Sequence, residues 1–147
     1  MVAEGFPFGL GYLPDMNFDD YLKQLEDHRA GVNLPDRFVP STFLVADVAG
    51  TIVGRTSIRH QLNEFLMHRG GHIGYGVLAE HRRRGYATEI LRQSLVVARS
   101  LGVDRVLVTC DDDNVGSFKT IETCGGQLEN VIAAEVDHPP MRRYWID

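Results

Sequence analysis

The sequence predicts one mixed α/β domain, a sheet with helices on both faces, from three observations. Its 147 residues are 44% hydrophobic and 24% charged, the length and balance of a single globular domain with its own core. Residues 42–59 contain two runs of strand-forming residues around a tight turn, a pattern that predicts an antiparallel hairpin. Residues 72–110 follow one another as strand, helix and strand, a unit that favours two parallel strands joined by a right-handed crossover. We therefore treat residues 1–147 as one domain.

The chain begins with an irregular segment, a helix and the hairpin. Residues 1–14 are rich in glycine and proline, so we expect irregular chain with one short extended piece. Asn17 is a favoured helix N-cap, and apolar residues follow it at helical spacing, which predicts a helix to about Ala30. The two hairpin strands are predicted at residues 42–47 and 51–59.

The middle of the chain holds the strand–helix–strand unit. Residues 72–78 predict a strand, in which Gly74 and Gly76 indicate a β-bulge or the close approach of another backbone. Residues 85–101 have an apolar stripe at helical spacing and are the clearest helix. Residues 103–110 include an unbroken apolar run, typical of a strand that is covered on both faces.

Three further segments complete the prediction. Residues 60–69 are expected to form a short helix or an ordered loop. A helix is predicted from Asn114 to about Cys124, where two glycines follow. Residues 127–146 predict two strands, interrupted at His138-Pro139-Pro140.

Composition excludes several classes of protein. No apolar run approaches the roughly 18–20 residues of a membrane helix, and no signal-peptide pattern is visible, so we expect no membrane association. Two cysteines form no disulfide framework, and a reducing cytoplasm is the expected location. The formal net charge of −5 argues against a general nucleic-acid binder. The spacing from Asp111 to Glu122 is close to that of an EF-hand calcium loop, but Val115 at the fifth position offers no side-chain oxygen and a strand, not a helix, precedes the loop. The six histidines form no zinc pattern. We therefore expect no metal, and the acidic run is expected to line a cleft or cap the next helix.

One basic cluster departs from this acidic average. Arg82, Arg83 and Arg84 stand directly before Gly85 and the clearest helix. The first turn of a helix presents unpaired N–H groups and the positive end of its dipole, and glycine lets a phosphate approach the backbone closely. The segment is therefore a candidate pyrophosphate cradle, although it has neither the P-loop nor the GxGxxG pattern. The alternative is a solvated basic run without a ligand.

Two motifs carry a resemblance to a known family. Arg82-x-x-Gly85-x-Ala87 resembles the Q/R-x-x-G-x-G/A signature of the GNAT superfamily of acyl-CoA-dependent N-acetyltransferases, between a glycine-interrupted strand and a long helix. The segment from Asn114 to Gly125 resembles that family's N-x-x-[A/S] helix, which ends in glycine. Finer similarity, to a branch known only as acetyltransferases predicted from sequence, is carried by Ile58-Arg59-His60, Leu62-Asn63-Glu64, residues 70–75 and Arg142-Arg143-Tyr144-Trp145-Ile146.

The resemblance implies a fold and a co-substrate. The fold would be a mixed, mostly antiparallel sheet whose central parallel pair splays around coenzyme A. The family's first strand would be missing here or supplied by residues 6–13, and an uncovered edge would favour a homodimer. The co-substrate would be acetyl-CoA, with its pantetheine arm on the backbone of Val77 and Leu78 and an N–H near Val77 stabilising the oxyanion. The rest of the cofactor would contact Arg82, Arg83, Arg84, Gly85, Tyr86, Ala87, Thr88, Asn114, Ser117 and Lys119.

The implied reaction needs a base and an acid. An alkylammonium group of pKa near ~10 must lose a proton before its nitrogen can attack a thioester. His72 and Glu64 are the candidate general bases, and the alternatives are a hydrogen-bonded strand histidine and an exposed helix carboxylate. The position of the family's general-acid tyrosine holds Ile121, so Tyr75, Tyr86 or water would supply the proton to the departing thiolate.

Three functions follow from these observations. The prediction is an acetyl-CoA-dependent N-acetyltransferase, in which a primary amine of a small molecule or peptide attacks the thioester directly in a ternary complex. The second possibility is a non-catalytic acyl-CoA sensor or interaction module, because Ile121 cannot donate a proton. The third is a nucleic-acid binder that uses the three arginines.

Overall fold

The computed structural model describes residue 13 and residues 15–147, which contain four α-helices and six strands. The expected extended piece at residues 6–13 lies, apart from residue 13, outside the described residues. Every helix and strand predicted from residue 17 onward is present, and a short 3₁₀ turn, Ala79–His81, precedes the basic cluster. The elements are α1 (Phe18–Ala30), β1 (Ser41–Val48), β2 (Thr51–Arg59), α2 (Glu64–His68), β3 (Ile73–Val77), α3 (Tyr86–Ser100), β4 (Val106–Asp111), α4 (Val115–Thr123), β5 (Gln127–Ile132) and β6 (Met141–Ile146).

The strands form two three-stranded sheets, in the orders β1-β2-β3 and β4-β6-β5. Each ladder between the described strands is antiparallel. The crossover unit β3-α3-β4 is present, and β3 and β4 share no ladder of hydrogen bonds, as expected of a pair that splays apart. The two sheets are instead joined at one point, where Gly71 bridges Val108 and the His72 N–H donates to the carbonyl oxygen of Leu107 at 2.7 Å.

This junction depends on a glycine in a left-handed conformation. Gly71 has φ +67°, and a Cβ atom there would lie 2.5 Å from the carbonyl oxygen of Leu107. Real side chains do not tolerate that contact, so only glycine permits the two backbones to meet here. Because no ladder between the described strands continues beyond this point, β3 and β4 each have one edge that is not paired with another described strand.

Helices cover both faces of the first sheet. Side chains alternate between the two faces of a strand, and on β2 the even-numbered residues face α3, where the Ser94 hydroxyl donates to Thr56 Oγ1 at 2.9 Å. The odd-numbered residues face the other way, towards α1. Burial raises the pKa of Tyr21 on that helix, and the nearby Arg55 opposes the shift. The core between the sheets and α3 consists of Ile58, Ile73, Leu91, Leu95, Ala98, Val103, Val106, Val108, Cys110, Ile121, Tyr144 and Ile146.

Local signals in the sequence act as predicted. The Asn17 side chain accepts hydrogen bonds from two N–H groups in the first turn of α1, and Gly31 ends that helix at φ 75°. The register between β2 and β3 is continuous, so Gly74 and Gly76 mark no bulge, and a close backbone approach is found at Gly76. A Cβ atom on Gly54 would lie 2.4 Å from the carbonyl oxygen of Gly76. No helix within the described part of the chain is long and apolar enough to cross a membrane.

Candidate active site

The free edge of β3 faces the gap between the two sheets. In an antiparallel ladder, residues alternate between pairs that exchange hydrogen bonds and pairs that do not. The Arg59 N–H donates to the His72 carbonyl at 2.7 Å, and the Leu78 N–H donates to the Val53 carbonyl at 2.8 Å. These contacts show that the even-numbered residues of β3 are the ones hydrogen-bonded to β2. The backbone N–H and C=O groups of Ile73, Tyr75 and Val77 therefore point away from β2 and towards the gap.

The facing edge belongs to β4. The Asp112 N–H donates to the Pro140 carbonyl at 2.9 Å, which by the same alternation directs the backbone groups of Leu107 and Thr109 towards β3. Leu107 is used at the junction, where its N–H donates to His72 Nδ1 at 2.9 Å. Beyond the junction the two edges form a slot lined by backbone donors and acceptors, which suits an extended ligand that carries amides.

The basic cluster forms the loop at the open end of this slot. Among residues 15–147, none of the backbone N–H groups of residues 83–88 donates a hydrogen bond to another residue. The backbone has positive φ at Arg83 and Gly85, and a Cβ atom on Gly85 would meet no atom within 4 Å. Six adjacent free donors at the start of a 15-residue helix form an anion-binding concavity.

One arginine of the cluster connects the loop to the slot. Arg82 Nε donates to the carbonyl oxygen of Val77 at 3.0 Å, at the end of β3. Arg83 and Arg84 are exposed and project no hydrogen bond to the described residues. Leu78, expected beside Val77 as a backbone partner of a ligand, already uses its N–H for Val53, so its amide is not available.

The N-terminus of α4 closes the other side of the slot. Asn114 caps this helix, because its Oδ1 accepts the N–H of Ser117 at 3.2 Å. The Ser117 hydroxyl also contacts the Tyr75 hydroxyl at 3.1 Å. Burial raises the pKa of Tyr75 to about 12, although the hydrogen bond with Ser117 opposes that shift, so this phenol stays protonated at neutral pH. Lys119 is exposed on the same helix.

The two other positions considered for a proton donor lie elsewhere. Ile121 is fully buried in the core. Tyr86 begins α3 and lines a separate groove between that helix and β1. Of the tyrosines considered, only Tyr75 reaches the slot.

A polar network beside α4 was not predicted from the sequence. Arg142 Nε donates to Asp112 Oδ1 at 2.7 Å, and its guanidinium lies 3.9 Å from the centre of the Phe118 ring. The Tyr144 hydroxyl donates to Glu122 at 2.7 Å. Asp112 thus fixes β6 against the β4–α4 loop. The described residues contain no cluster of acidic, histidine or cysteine side chains that could hold a metal.

His72 is tied into the junction. Its Nδ1 accepts the Leu107 N–H, so in the neutral ring the hydrogen is on Nε2. Burial and then the Arg59 guanidinium lower the pKa of His72. Because its acceptor nitrogen is already hydrogen-bonded to the backbone, the geometry matches the structural alternative and not a general base.

Glu64 lines an open cleft between α2 and the strands β5 and β6. It is exposed at the first turn of α2 and has no hydrogen bond or ion pair with the described residues. The cleft has a volume of about 690 Å³. None of the three aspartates at 111–113 lines it. Its lining residues are Leu62, Asn63, Glu64, Met67, His68, Asn130, Ile132 and Arg143.

Four residues of the finer sequence motif, Leu62, Asn63, Glu64 and Arg143, line this cleft. Asn63 caps α2 through the Leu66 N–H and donates to the Arg37 carbonyl at 2.8 Å. Arg143 is buried and donates to the Met67 carbonyl through Nε and Nη2, at 3.1 and 2.7 Å. The sequence contained these residues as a pattern, but only the fold shows that they join α2 to β6.

Comparison with known proteins places this architecture. Residues 13–127 match the family model described as an acetyltransferase (GNAT) domain. An uncharacterised N-acetyltransferase, YjdG of Bacillus subtilis, is 39% identical over 67 residues, which are 45% of this chain and 39% of that protein. The chain therefore aligns with about two fifths of the length of that curated relative.

Solved structures show the same fold at low sequence identity. A variant of spermidine N-acetyltransferase SpeG from Vibrio cholerae has a TM-score of 0.62 and 18% identity, over 88% of this chain and 75% of that one. The microcin C7 self-immunity acetyltransferase MccE, solved in complex with acetyl-CoA and AMP, has a TM-score of 0.60 and 21% identity, over 88% and 71% of the two chains.

Proposed function

The chain belongs to the GNAT acetyltransferase family, and on that premise we propose that it transfers the acetyl group of acetyl-CoA to a primary amine. The observation that carries the proposal is the open slot between β3 and β4, which ends at the loop of free N–H groups before α3. A pantetheine arm carries two amides and a pyrophosphate at one end, so its chemistry matches a slot of backbone groups that leads to an anion-binding loop.

Acetyl-CoA would be held mainly by backbone. The free N–H groups of residues 83–88 would bind the pyrophosphate, with the exposed arginines adding charge. Val77 would pair with the pantetheine arm, while Asn114 and Ser117 would contact it from α4. Lys119 or one arginine would meet the 3′-phosphate. The N–H of Val77 faces the slot and would donate to the thioester carbonyl oxygen as negative charge develops there.

The acetyl transfer would be a direct attack. The amine nitrogen forms a bond to the thioester carbon, the carbon–sulfur bond breaks, and the sulfur leaves as a thiolate. Tyr75 is the group that we propose to protonate this thiolate, since its hydroxyl is at the α4 side of the slot and is protonated at neutral pH.

The acceptor amine would lose its proton to a carboxylate or through water. His72 is hydrogen-bonded away from this task, so Glu64 remains the candidate general base of this chain. It would act from the cleft beside α2, directly or through a water molecule. The acceptor itself is proposed as a small molecule or peptide with a free amine. Spermidine N-acetyltransferase among the structural neighbours supports an amine of that size.

The setting of the enzyme is part of the proposal. Cys110 and Cys124 are unpaired, which suits the reducing cytoplasm. A homodimer stays a prediction, and light scattering on the full chain at several concentrations would measure it.

The cofactor proposal is tested by thermal unfolding with and without acetyl-CoA. A ligand at about 100 times its Kd stabilises the native state by about 2.7 kcal/mol, which for a chain of this size raises Tm by about 5–10 °C. Gly85→Asp places a carboxylate in the anion-binding loop and should abolish that rise.

Gly50→Asp is the matched control. Gly50 also has positive φ and no neighbour within 4 Å of a Cβ atom, but it lies in the β1–β2 turn. Without ligand, Gly50→Asp should lower Tm by about as much as Gly85→Asp does. Acetyl-CoA should still raise the Tm of Gly50→Asp. No response of the unmodified chain at millimolar acetyl-CoA would contradict the proposal.

A second candidate is an acyl-CoA sensor without turnover, which the burial of Ile121 at the usual acid position favours. The two candidates differ in thiol release. A panel of amines assayed for free CoA distinguishes them, since any amine-dependent release of thiol excludes the sensor.

A further inference from the structure

Arg59 is a largely buried cation without an acidic partner in the described chain. Its Nη1 donates to the carbonyl oxygens of Gly70 and Gly71, at 3.1 and 3.2 Å. Burial lowers the pKa of this guanidinium, and Arg55 lowers it further. Within residues 15–147, no carboxylate lies within 4.0 Å of its nitrogens, and Nε and Nη2 have no acceptor.

Three other internal arginines each have a carboxylate close by. Arg69 has Glu135 at 3.7 Å, Arg142 has Asp112 at 2.7 Å, and Arg143 has Glu129. A buried guanidinium costs free energy unless an anion and hydrogen bonds compensate for lost hydration. Arg59 therefore differs from these three arginines in a way that points to an external anion, and the residue keeps partial contact with solvent.

The register of the sheet shows where this cation lies. The β2 side chains of Ser57 and Arg59 share one face, and Gly74 is the β3 partner of Ser57. A Cβ atom on Gly74 would lie 3.6 Å from both Nη1 and Nη2 of Arg59. The guanidinium thus lies beside the bare backbone of β3, at the residue between Ile73 and Tyr75.

This position is one residue from Tyr75, the proposed proton donor, and three residues from Val77, about 10 Å along the strand. The backbone groups of Ile73 and Tyr75 face the slot, whereas the bare face of Gly74 lies on the side of the sheet away from α3, in contact with the Arg59 guanidinium. Ser57, opposite Gly74, is buried and its hydroxyl has no hydrogen-bond partner in the described chain. Glycine within a strand commonly marks the close approach of a ligand. Gly74 is one or two residues along the strand, roughly 4–7 Å, from the backbone groups of β3 that face the slot.

We propose that Arg59, beside the bare backbone of Gly74, binds an anionic oxygen group of the acceptor, so that the substrates are amines carrying a carboxylate or phosphate on a short stem. This inference rests on the proposed acetyl transfer and narrows its acceptor class. The guanidinium matches such oxygens in charge and shape. Simple polyamines, which have no anionic group, would be poorer acceptors.

The first experiment compares acceptors that differ in one group. Lysine with cadaverine and ethanolamine phosphate with ethanolamine form two matched pairs, assayed by thiol release. The chain should prefer the anionic member of at least one pair by tenfold or more in kcat/KM. The pair that shows the preference identifies carboxylate or phosphate as the anion.

Variants then assign the preference to the site. Arg59→Gln should remove it, and Gly74→Ala should reduce it several-fold while leaving Arg59 and its bonds to Gly70 and Gly71 in place, because a Cβ atom at Gly74 makes only ordinary contacts. Arg92→Gln is the control, since Arg92 is exposed on α3 and its loss changes net charge equally.

Binding gives a readout that does not need turnover. With CoA bound, the preferred anionic acceptor should raise Tm of the unmodified chain and of Arg92→Gln, and not of Arg59→Gln. Equal kcat/KM within both pairs, or a preference that survives Gly74→Ala and Arg59→Gln unchanged, would overturn the inference while acetyl transfer stands. Failure to bind acetyl-CoA would overturn the proposed function itself.

Discussion

Replacing Gly71 by alanine tests whether the junction between the two sheets depends on backbone contact. Gly71 has φ +67°, and its added Cβ would lie 2.5 Å from the Leu107 carbonyl oxygen and 3.0 Å from the Leu107 carbonyl carbon. The left-handed conformation costs an alanine about 1–2 kcal/mol. Separation of the two backbones adds about 1–3 kcal/mol, the usual range for overpacking.

We therefore expect Gly71→Ala to destabilise the fold by about 3 kcal/mol, which for 147 residues lowers Tm by about 6–12 °C. Gly50→Ala is the control, because Gly50 has φ +88° and no neighbour within 4 Å of its Cβ. It should lose only the conformational part, about 1–2 kcal/mol. Both are measured by far-UV circular dichroism during heating and by urea unfolding.

The difference between the two variants isolates the contact. Equal losses of Tm in Gly71→Ala and Gly50→Ala would refute the junction, because the Leu107 carbonyl would then not restrict residue 71. The measurement needs no ligand, so it is independent of the proposed activity.

Three further predictions concern the slot and the core. Tyr75→Phe should lower kcat by about 10²-fold, the lower end of acid catalysis, while acetyl-CoA still raises Tm; because the pKa of Tyr75 is raised to about 12, kcat of the unmodified chain should not fall between pH 8 and 10. His72→Leu should cost about 1–3 kcal/mol, since it leaves the Leu107 N–H without an acceptor, and urea unfolding checks it. The lowered pKa of His72 means that the unfolded chain binds this proton more readily, so its contribution to stability is present above about pH 6.5 and is lost as the pH falls; the variant should lose less stability than the parent on acidification. Ile121→Tyr should lower Tm without raising kcat, because position 121 is fully buried and the larger side chain overpacks the core.

Local chemistry made most of the fold predictable. Asn17 and Gly31 bound α1 because a side-chain acceptor and a left-handed residue satisfy the ends of a helix within a few residues. The alternating hydrophobic pattern placed the hairpin, and the apolar run from Val106 placed β4. The sequence did not show where β3 and β4 meet or where they separate. That depends on one contact between Gly71 and Leu107, which are 36 residues apart in the chain.

The candidate site divides along the same line. The anion-binding loop was visible in sequence because its glycine and its helix N-terminus are neighbours in the chain. The proton donor was not, since Tyr75 meets Ser117 across the slot only after both sheets have formed. His72 was predicted as a possible base, and the fold instead occupies its Nδ1 with a backbone N–H.

The sequence by itself determined which segments become helices and strands, where they end, and that one helix start can bind a phosphate. These properties arise from residues within one or two turns of each other, whose interactions do not depend on the rest of the chain. Within the described part of the chain, the tertiary structure alone decided which backbone edges remain unpaired, that Arg59 has no carboxylate beside it, and which tyrosine reaches the slot. Those properties depend on distances between segments that only packing brings together, because a hydrogen bond or an ion pair exists only where both partners arrive at contact distance.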